Sequence, residues 1–191
     1  MKKQILSIVF VLILGSAVSA QSTDKTVENI RSYYNDIAEK CRLASTDEDR
    51  GQVGGIFVNE LNMNSRGHQW RAVGIYNQDI RFYYRSLDTE DHLYPDQLVF
   101  VVIERKVSAR KYHEEYLFAA AGELVFYYFK ADGSDEKPSE TRMYFSGPRA
   151  IRIIEDKISR DRLTAGDLKA ANRQLAYSAK IRSLFKQSIA L

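Results

Sequence analysis

The only cysteine, Cys41, is a candidate nucleophile, because a thiolate reacts readily once a nearby base has ionised it. Cys41 lies four residues after Ile37, in a segment whose apolar residues recur at spacings of three and four. Such a stripe is typical of the buried side of a helix, and free cysteine is among the most frequently buried residue types. We therefore expect Cys41 to be a core residue and not a reactive thiol.

Histidines and neighbouring carboxylates are the second group of candidates. The three histidines are scattered, and no two of them have a metal-ligand spacing such as H-x-x-x-H. His113 and Glu115 lie two residues apart in a predicted strand, so their side chains share one face while Glu114 points to the other. That pair could perform general acid–base catalysis. More often such a pair belongs to the solvated face of a half-covered strand, which is the interpretation we favour.

Acidic residues concentrate in one polar segment, residues 87–96, which holds four carboxylates and His92. Calcium takes about six to eight oxygen ligands in a shaped loop, but the spacing here differs from an EF-hand loop and lacks its glycine. We therefore favour a surface loop over a cation site. A second acidic stretch, residues 132–136, is typical of a hairpin tip. Phosphate-binding, dinucleotide-binding, nucleophile-elbow and H-E-x-x-H motifs do not occur, so we predict neither a metal nor a cofactor.

Tyrosine and arginine side chains on predicted strands are candidates for ligand binding. The chain has 12 tyrosines and 9 phenylalanines, most of them between residues 76 and 145. Tyrosine and arginine are enriched in protein interfaces, so a strand face that carries them could bind a protein or a glycan. In the alternative, the tyrosines line the edge of the core and only their hydroxyl groups reach water. The six predicted site residues are Arg81, Tyr83 and Arg85 on one strand and Tyr112, Glu114 and Tyr116 on a later one.

Two helices are predicted at the ends of the folded region. In residues 26–43 an apolar stripe includes Ile30, Ile37 and Cys41 at helical spacing. A second helix is predicted for residues 165–189, and Thr164-x-x-Asp167 before it resembles a capping box. Its basic residues lie mostly away from the apolar face, which favours a docked helix over one that lies on a membrane surface.

The segment between the helices is predicted to form antiparallel β-structure. Its connections are mostly too short for a crossover helix, so neighbouring strands should pair antiparallel. Residues 98–103 and 124–129 are apolar on both faces and need cover on both. We expect the helices to cover one face and sheet curvature to help on the other. The predicted strands are 55–63, 69–76, 80–86, 98–107, 111–118, 123–130, 141–145 and 149–155. The predicted fold class is therefore α+β, a curved antiparallel meander of about eight strands flanked by an N-terminal and a C-terminal amphipathic helix.

The first 20 residues have the order of a secretory signal peptide. Lys2 and Lys3 precede an apolar run, and small residues follow up to Ala20. The run is shorter than the roughly 20 residues that a permanent membrane span needs. Gln21 stands where a lipid anchor would require cysteine. We predict cleavage near Ala20, a single α+β domain over residues 21–191, a secreted or periplasmic location and no permanent membrane anchor.

Charge and composition limit the class of function. The chain has a net charge of +3, and removal of residues 1–20 would lower it to +1, which argues against nucleic-acid binding. We therefore predict a soluble, non-catalytic binding protein whose partner is a protein or glycan of the cell envelope or exterior. One alternative is a small exported hydrolase that uses scattered carboxylates with His113 or His92. Another is a structural subunit of an envelope assembly.

Overall fold

The structure, a computed structural model, describes residues 2–46, 55–70, 74–86, 97–133 and 136–190. Side chains are described in these ranges from residue 22 onward, except at 70, 75, 133 and 136–138. The helices are α1 (Lys2–Thr46) and α2 (Ala165–Ile189). The strands are β1 (Phe57–Met63), β2 (Gln69–Trp70), β3 (Gly74–Arg85), β4 (Gln97–Val107), β5 (Arg110–Phe118), β6 (Leu124–Gly133), β7 (Glu136–Ser146), β8 (Arg149–Glu155) and β9 (Ile158–Arg160).

The strands form one antiparallel meander sheet with the order β1-β3-β4-β5-β6-β7-β8-β9. The short β2 pairs with the beginning of β3, outside this order. The described strands do not close into a barrel, so β1 and β9 are the outer strands of this order. The predicted α+β class, with an antiparallel meander between two terminal helices, is confirmed.

The two helices cover opposite faces of the sheet, so the prediction that both cover the same face was wrong. Ile37 and Cys41 of α1 pack with Phe100 and Leu117 in one hydrophobic cluster. A second cluster on the other side of the sheet contains Phe118 together with residues of α2. Because side chains alternate along a strand, β4 and β6 contribute residues to both clusters. This explains why their sequences are apolar on both faces.

Strand β3 differs from the prediction. Residues 69–76 and 80–86 were expected to be two strands separated by a turn at 77–79, but β3 runs without a break from Gly74 to Arg85, through the expected turn, and Gln69–Trp70 form β2. Polar residues fit here because Gln78 is buried and accepts a hydrogen bond from the Tyr76 hydroxyl at 2.5 Å, whereas Asn77 and Asp79 point to the opposite, polar face. The polar composition of residues 77–79 therefore resembled that of a turn, although these residues lie within a strand. The three-residue β9 was not predicted.

Helix α1 crosses the strands on its face of the sheet. At the middle of α1, Asp24 accepts a hydrogen bond of 2.7 Å from Arg152 on β8. Near its end, Ser45 Oγ lies 2.8 Å from the hydroxyl of Tyr83 on β3. The helix is longer than the predicted 26–43 in both directions. Among residues with described side chains, no helix is long and apolar enough to cross a bilayer.

Helix α2 begins at the predicted capping box. The Thr164 hydroxyl accepts a hydrogen bond from the Asp167 amide at 3.1 Å, and the Asp167 carboxylate accepts one from the Thr164 amide at 2.9 Å. Arg160 on β9 donates two further hydrogen bonds to this carboxylate. Together with the backbone hydrogen bond from Thr164, these bonds lower the pKa of Asp167 to about 2. The cap therefore fixes the start of α2 and joins it to the edge of the sheet.

Thr164→Ala is expected to lower the free energy of unfolding by about 1 kcal/mol, because the amide of Asp167 loses its acceptor. Thr164→Ser keeps the hydroxyl oxygen and should stay within about 0.5 kcal/mol of the unsubstituted protein. Urea denaturation followed by circular dichroism measures both. Equal stability of the alanine and serine variants would contradict the role of the cap.

Candidate functional site

The sheet face that α1 covers extends beyond the helix. On that uncovered part of the strands the side chains are polar. Under α1 this face is apolar and includes Phe100, Leu117 and Phe126. Four positions further along these strands, the same face carries Glu104, His113 and Lys130. The register there aligns Asp79 on β3, Glu104 on β4, His113 on β5 and Lys130 on β6.

Two depressions meet on this polar face. They share Glu104, and we call their lining residues together the polar trough. Because the depressions cover β1 and β3 to β6, the trough extends across the strands beside α1. The first has a volume of about 490 Å³ and is lined by Glu60, Asn62, Ser65, Asn77, Asp79, Arg81 and Glu104. The second has a volume of about 370 Å³ and is lined by Glu104, Lys111, Tyr112, His113, Tyr128, Lys130 and Asp132.

His113 lies at the centre of the trough between two carboxylates. Its Nδ1 is 2.6 Å from Oε1 of Glu104, and its Nε2 is 2.7 Å from Oε1 of Glu115. The hydrogen bond to Glu104, followed by that to Glu115, raises the pKa of His113 to about 9. The same hydrogen bond lowers the pKa of Glu104. His113 is therefore an imidazolium at neutral pH, and both of its N–H groups donate to carboxylates.

The trough is joined to α1 through Glu115. The hydroxyl of Tyr34 on α1 donates a 2.7 Å hydrogen bond to Oε2 of Glu115, whose other oxygen binds His113. Burial, and then the Glu115 charge, raises the pKa of Tyr34, so its hydroxyl remains a donor. The helix and the floor of the trough therefore share one hydrogen-bond chain.

An aromatic side chain, Tyr128, lies beside this centre. Its ring meets the ring of His113 edge to face, with centroids 5.8 Å apart. The guanidinium of Arg142 lies 5.6 Å from the centroid of the same ring. Arg142 also forms an ion pair with Glu140 on its own strand, β7. The second depression thus combines a half-buried ring with charged groups of both signs.

Three of the six predicted site residues lie on the α1 face. Arg81 lines the trough, with a guanidinium nitrogen 3.8 Å from Glu104 Oε1. Tyr83 is 3% exposed and lies beneath the end of α1. Arg85 is half-buried on the same side of β3, where its charge acts on Tyr33 and Cys41. Only Arg81 of these three belongs to the trough.

The other three predicted residues are on β5, where Glu114 and Tyr116 point to the opposite face, under α2. Glu114, which is 7% exposed, accepts hydrogen bonds from Tyr116 at 2.9 Å, Tyr127 at 3.2 Å and Arg105 at 3.1 Å. The Tyr116 hydroxyl also lies 3.1 Å from Gln174 Oε1 on α2. The Arg105 guanidinium is 5.0 Å from the centroid of the Tyr112 ring. The six predicted residues therefore do not form one surface. Glu114 holds its three donors within the sheet, Tyr116 contacts α2, and Tyr112 lines the second depression of the trough.

The remaining candidates from the sequence are Cys41, His92 and the acidic segment 87–96. Cys41 is 3% exposed and burial raises its pKa to about 12, so its assignment to the core is confirmed. His92 and the whole segment 87–96 lie outside the described residues. Within the described ranges, no group of three or more histidine, cysteine, aspartate and glutamate side chains could hold a metal ion.

The trough itself was not predicted, because its residues are remote from one another in the sequence. Asp79, Glu104, His113 and Lys130 become neighbours only through the register of four strands. The one signal available in the sequence was the alternation of charged and apolar residues within each strand, and it does not show which strands pair. Comparisons of the chain with protein-family models, curated proteins and solved structures found no match.

Proposed function

We propose that this is an exported, non-catalytic binding protein whose ligand lies in the polar trough. The observation that carries this proposal is the pair of depressions that meet at Glu104 on the sheet face beside α1. Exposed lysine, asparagine and carboxylate groups line them, and such groups fix the orientation of a polar ligand. The order of residues in the first 20 positions supports export. The ligand is a protein or glycan of the cell envelope or exterior.

The protonation and hydrogen bonding of His113 support a binding function over the alternative hydrolase. A general base needs a free nitrogen lone pair near the operating pH. Because the pKa of His113 is raised to about 9 and Glu104 and Glu115 occupy both of its nitrogens, neither nitrogen is available to a substrate. The residue is better suited to hold the floor of the trough in place.

Affinity capture from native envelope extract tests the proposal. The bait is the protein from residue 21 onward, and a second bait carries Lys111→Glu with Lys130→Glu in the trough. A third bait carries Lys169→Glu with Lys180→Glu, which makes the same charge change at exposed positions of α2. We expect one or more ligands that the unsubstituted and α2 baits retain and the trough bait loses.

Two results would overturn the proposed function. The first is a set of captured ligands that does not differ between the trough bait and the α2 bait. The second is an absence of ligands combined with turnover of a substrate by the same protein in a hydrolase screen. The second result would favour the hydrolase.

A further inference from the structure

Charge is distributed unevenly along the polar trough. In the depression over β1 and β3, Glu60 and Asp79 outnumber the single cation Arg81. Apart from Glu104 at the junction, the depression over β5 and β6 has two lysines, Lys111 and Lys130, and one carboxylate, Asp132. Glu104, at the junction, is paired with His113. The trough therefore has an acidic end and a basic end, separated by a hydrogen-bonded centre.

Two cross-strand pairs carry like charges on this surface. Asp79 lies opposite Glu104 at the acidic end, and Lys106 lies opposite Lys111 beside the basic end, where Asp132 faces Lys111 from the other side. Like charges directly opposite each other destabilise a sheet. A ligand with complementary charges would relieve both repulsions on binding, which gives a physical reason for charges placed in this way.

We propose that the ligand of the trough is an extended peptide segment with cationic residues at one end and anionic residues at the other. The inference rests on the proposed function, because it assigns a chemical class to the ligand of the same site. The cationic residues would lie over Glu60 and Asp79, and the anionic residues over Lys111 and Lys130. Of the two ligand classes considered, only a peptide routinely carries both signs of charge, whereas a neutral oligosaccharide offers none.

Strand spacing sets the length of the segment. Asp79 and Lys130 lie in one row on β3 and β6, three strand intervals apart. With about 4.8 Å between neighbouring strands, this separation is roughly 14 Å, or about four residues of extended chain. The opposite charges of the ligand should therefore be about four positions apart. Since α1 crosses the strands beside the trough, the peptide would lie alongside the helix.

Labelled heptapeptides provide the test, with fluorescence anisotropy as the measurement. The probe Lys-Lys-Ser-Ala-Ser-Glu-Glu separates its charges by the required distance. The comparison peptides are Lys-Lys-Ser-Ala-Ser-Lys-Lys, Glu-Glu-Ser-Ala-Ser-Glu-Glu and the neutral-charge scramble Lys-Glu-Ser-Ala-Ser-Lys-Glu, together with a labelled tetrasaccharide of N-acetylglucosamine. We expect the first probe to bind at least fivefold more tightly than each of the others at low salt, with the difference reduced at about 0.3 M salt by screening.

Variants at each end of the trough make the test specific. Asp79→Lys makes both ends basic and should move the preference to the all-glutamate peptide. Lys130→Glu makes both ends acidic and should move it to the all-lysine peptide. Glu28→Lys on α1 and Lys180→Glu on α2 make the same charge changes at exposed helix positions and should leave the preference unchanged. Circular dichroism confirms that each variant is folded.

The two proposals can fail separately. If envelope ligands depend on the trough but no heptapeptide is preferred, or the tetrasaccharide binds best, the peptide inference is overturned and the binding function remains. If the preferred peptide is the same for Asp79→Lys and Lys130→Glu, the trough is not its site and the inference also fails. If neither envelope ligands nor peptides depend on the trough, both proposals fail.

Discussion

Leu117→Ala and Phe118→Ala should each lower the free energy of unfolding by several kcal/mol, although they are neighbours on one strand. Both side chains are 0% exposed, and they belong to different hydrophobic clusters. Truncation of a buried leucine costs about 2–5 kcal/mol and of a buried phenylalanine about 3–5 kcal/mol, because the loss of contacts leaves a cavity. A sheet with cover on only one face would show such a cost at only one of the two positions.

The matched control is Leu168→Ala, at an exposed position of α2. A substitution there should change the unfolding free energy by no more than about 0.5 kcal/mol. Urea denaturation followed by tyrosine fluorescence and circular dichroism gives all three values. A cost below about 1 kcal/mol for either Leu117→Ala or Phe118→Ala would refute the assignment of a core to that face.

The stability of the protein should fall as the pH rises from about 6.5 to above 9, through the loss of the proton from His113. The folded-state pKa of about 9 exceeds the reference value of 6.5. The imidazolium therefore contributes its full stabilisation below pH 6.5, while its carboxylate partners are ionised, and loses it as the pH passes 9. The shift corresponds to about 3 kcal/mol at most, and since the side chain is 28% exposed, we expect about 1–2 kcal/mol after solvent screening.

His113→Gln removes this titration and gives the required comparison. The difference in unfolding free energy between the unsubstituted protein and His113→Gln should shrink between pH 6.5 and pH 9.5. His68→Gln, at an exposed position just before β2, serves as the control for replacing a histidine, and its difference should not follow this curve. A pH-independent difference for His113→Gln would show that the imidazolium is not held by its two carboxylates.

Local chemistry made part of the fold predictable. The second helix begins and ends where it was expected, at Ala165 and Ile189, because Thr164 and Asp167 form a cap that depends only on neighbouring residues. The arrangement of the helices was not predictable in the same way. Apolar residues on both sides of β4 and β6 indicate that each face needs cover, but they do not indicate which helix covers which face. The sequence of β3 was misleading because Asn77 and Asp79 belong to a polar surface within the sheet.

The candidate site was harder to predict from the sequence than the fold. Alternation placed Arg81, Tyr83 and Arg85 on one side of a strand, but the burial of Tyr83 depends on where α1 docks. Alternation also placed Tyr112, Glu114 and Tyr116 on one side of β5, yet Tyr116 contacts Gln174 of α2 whereas Tyr112 lines the trough. Whether a tyrosine or charged residue is exposed is therefore decided by packing between remote elements.

The path of α1 across the sheet has a consequence for the order of assembly. This helix is synthesised before every strand, yet the hydrogen bond between Asp24 and Arg152 joins residues 128 positions apart. The contact between Arg31 and Tyr144 joins residues 113 positions apart. Because closing such long loops is slow, the first helix should reach its place only after β7 and β8 have joined the meander. Until then Phe100, Phe126 and Tyr144 would be exposed to solvent, and apolar surface exposed in this way makes a partly folded chain prone to aggregation.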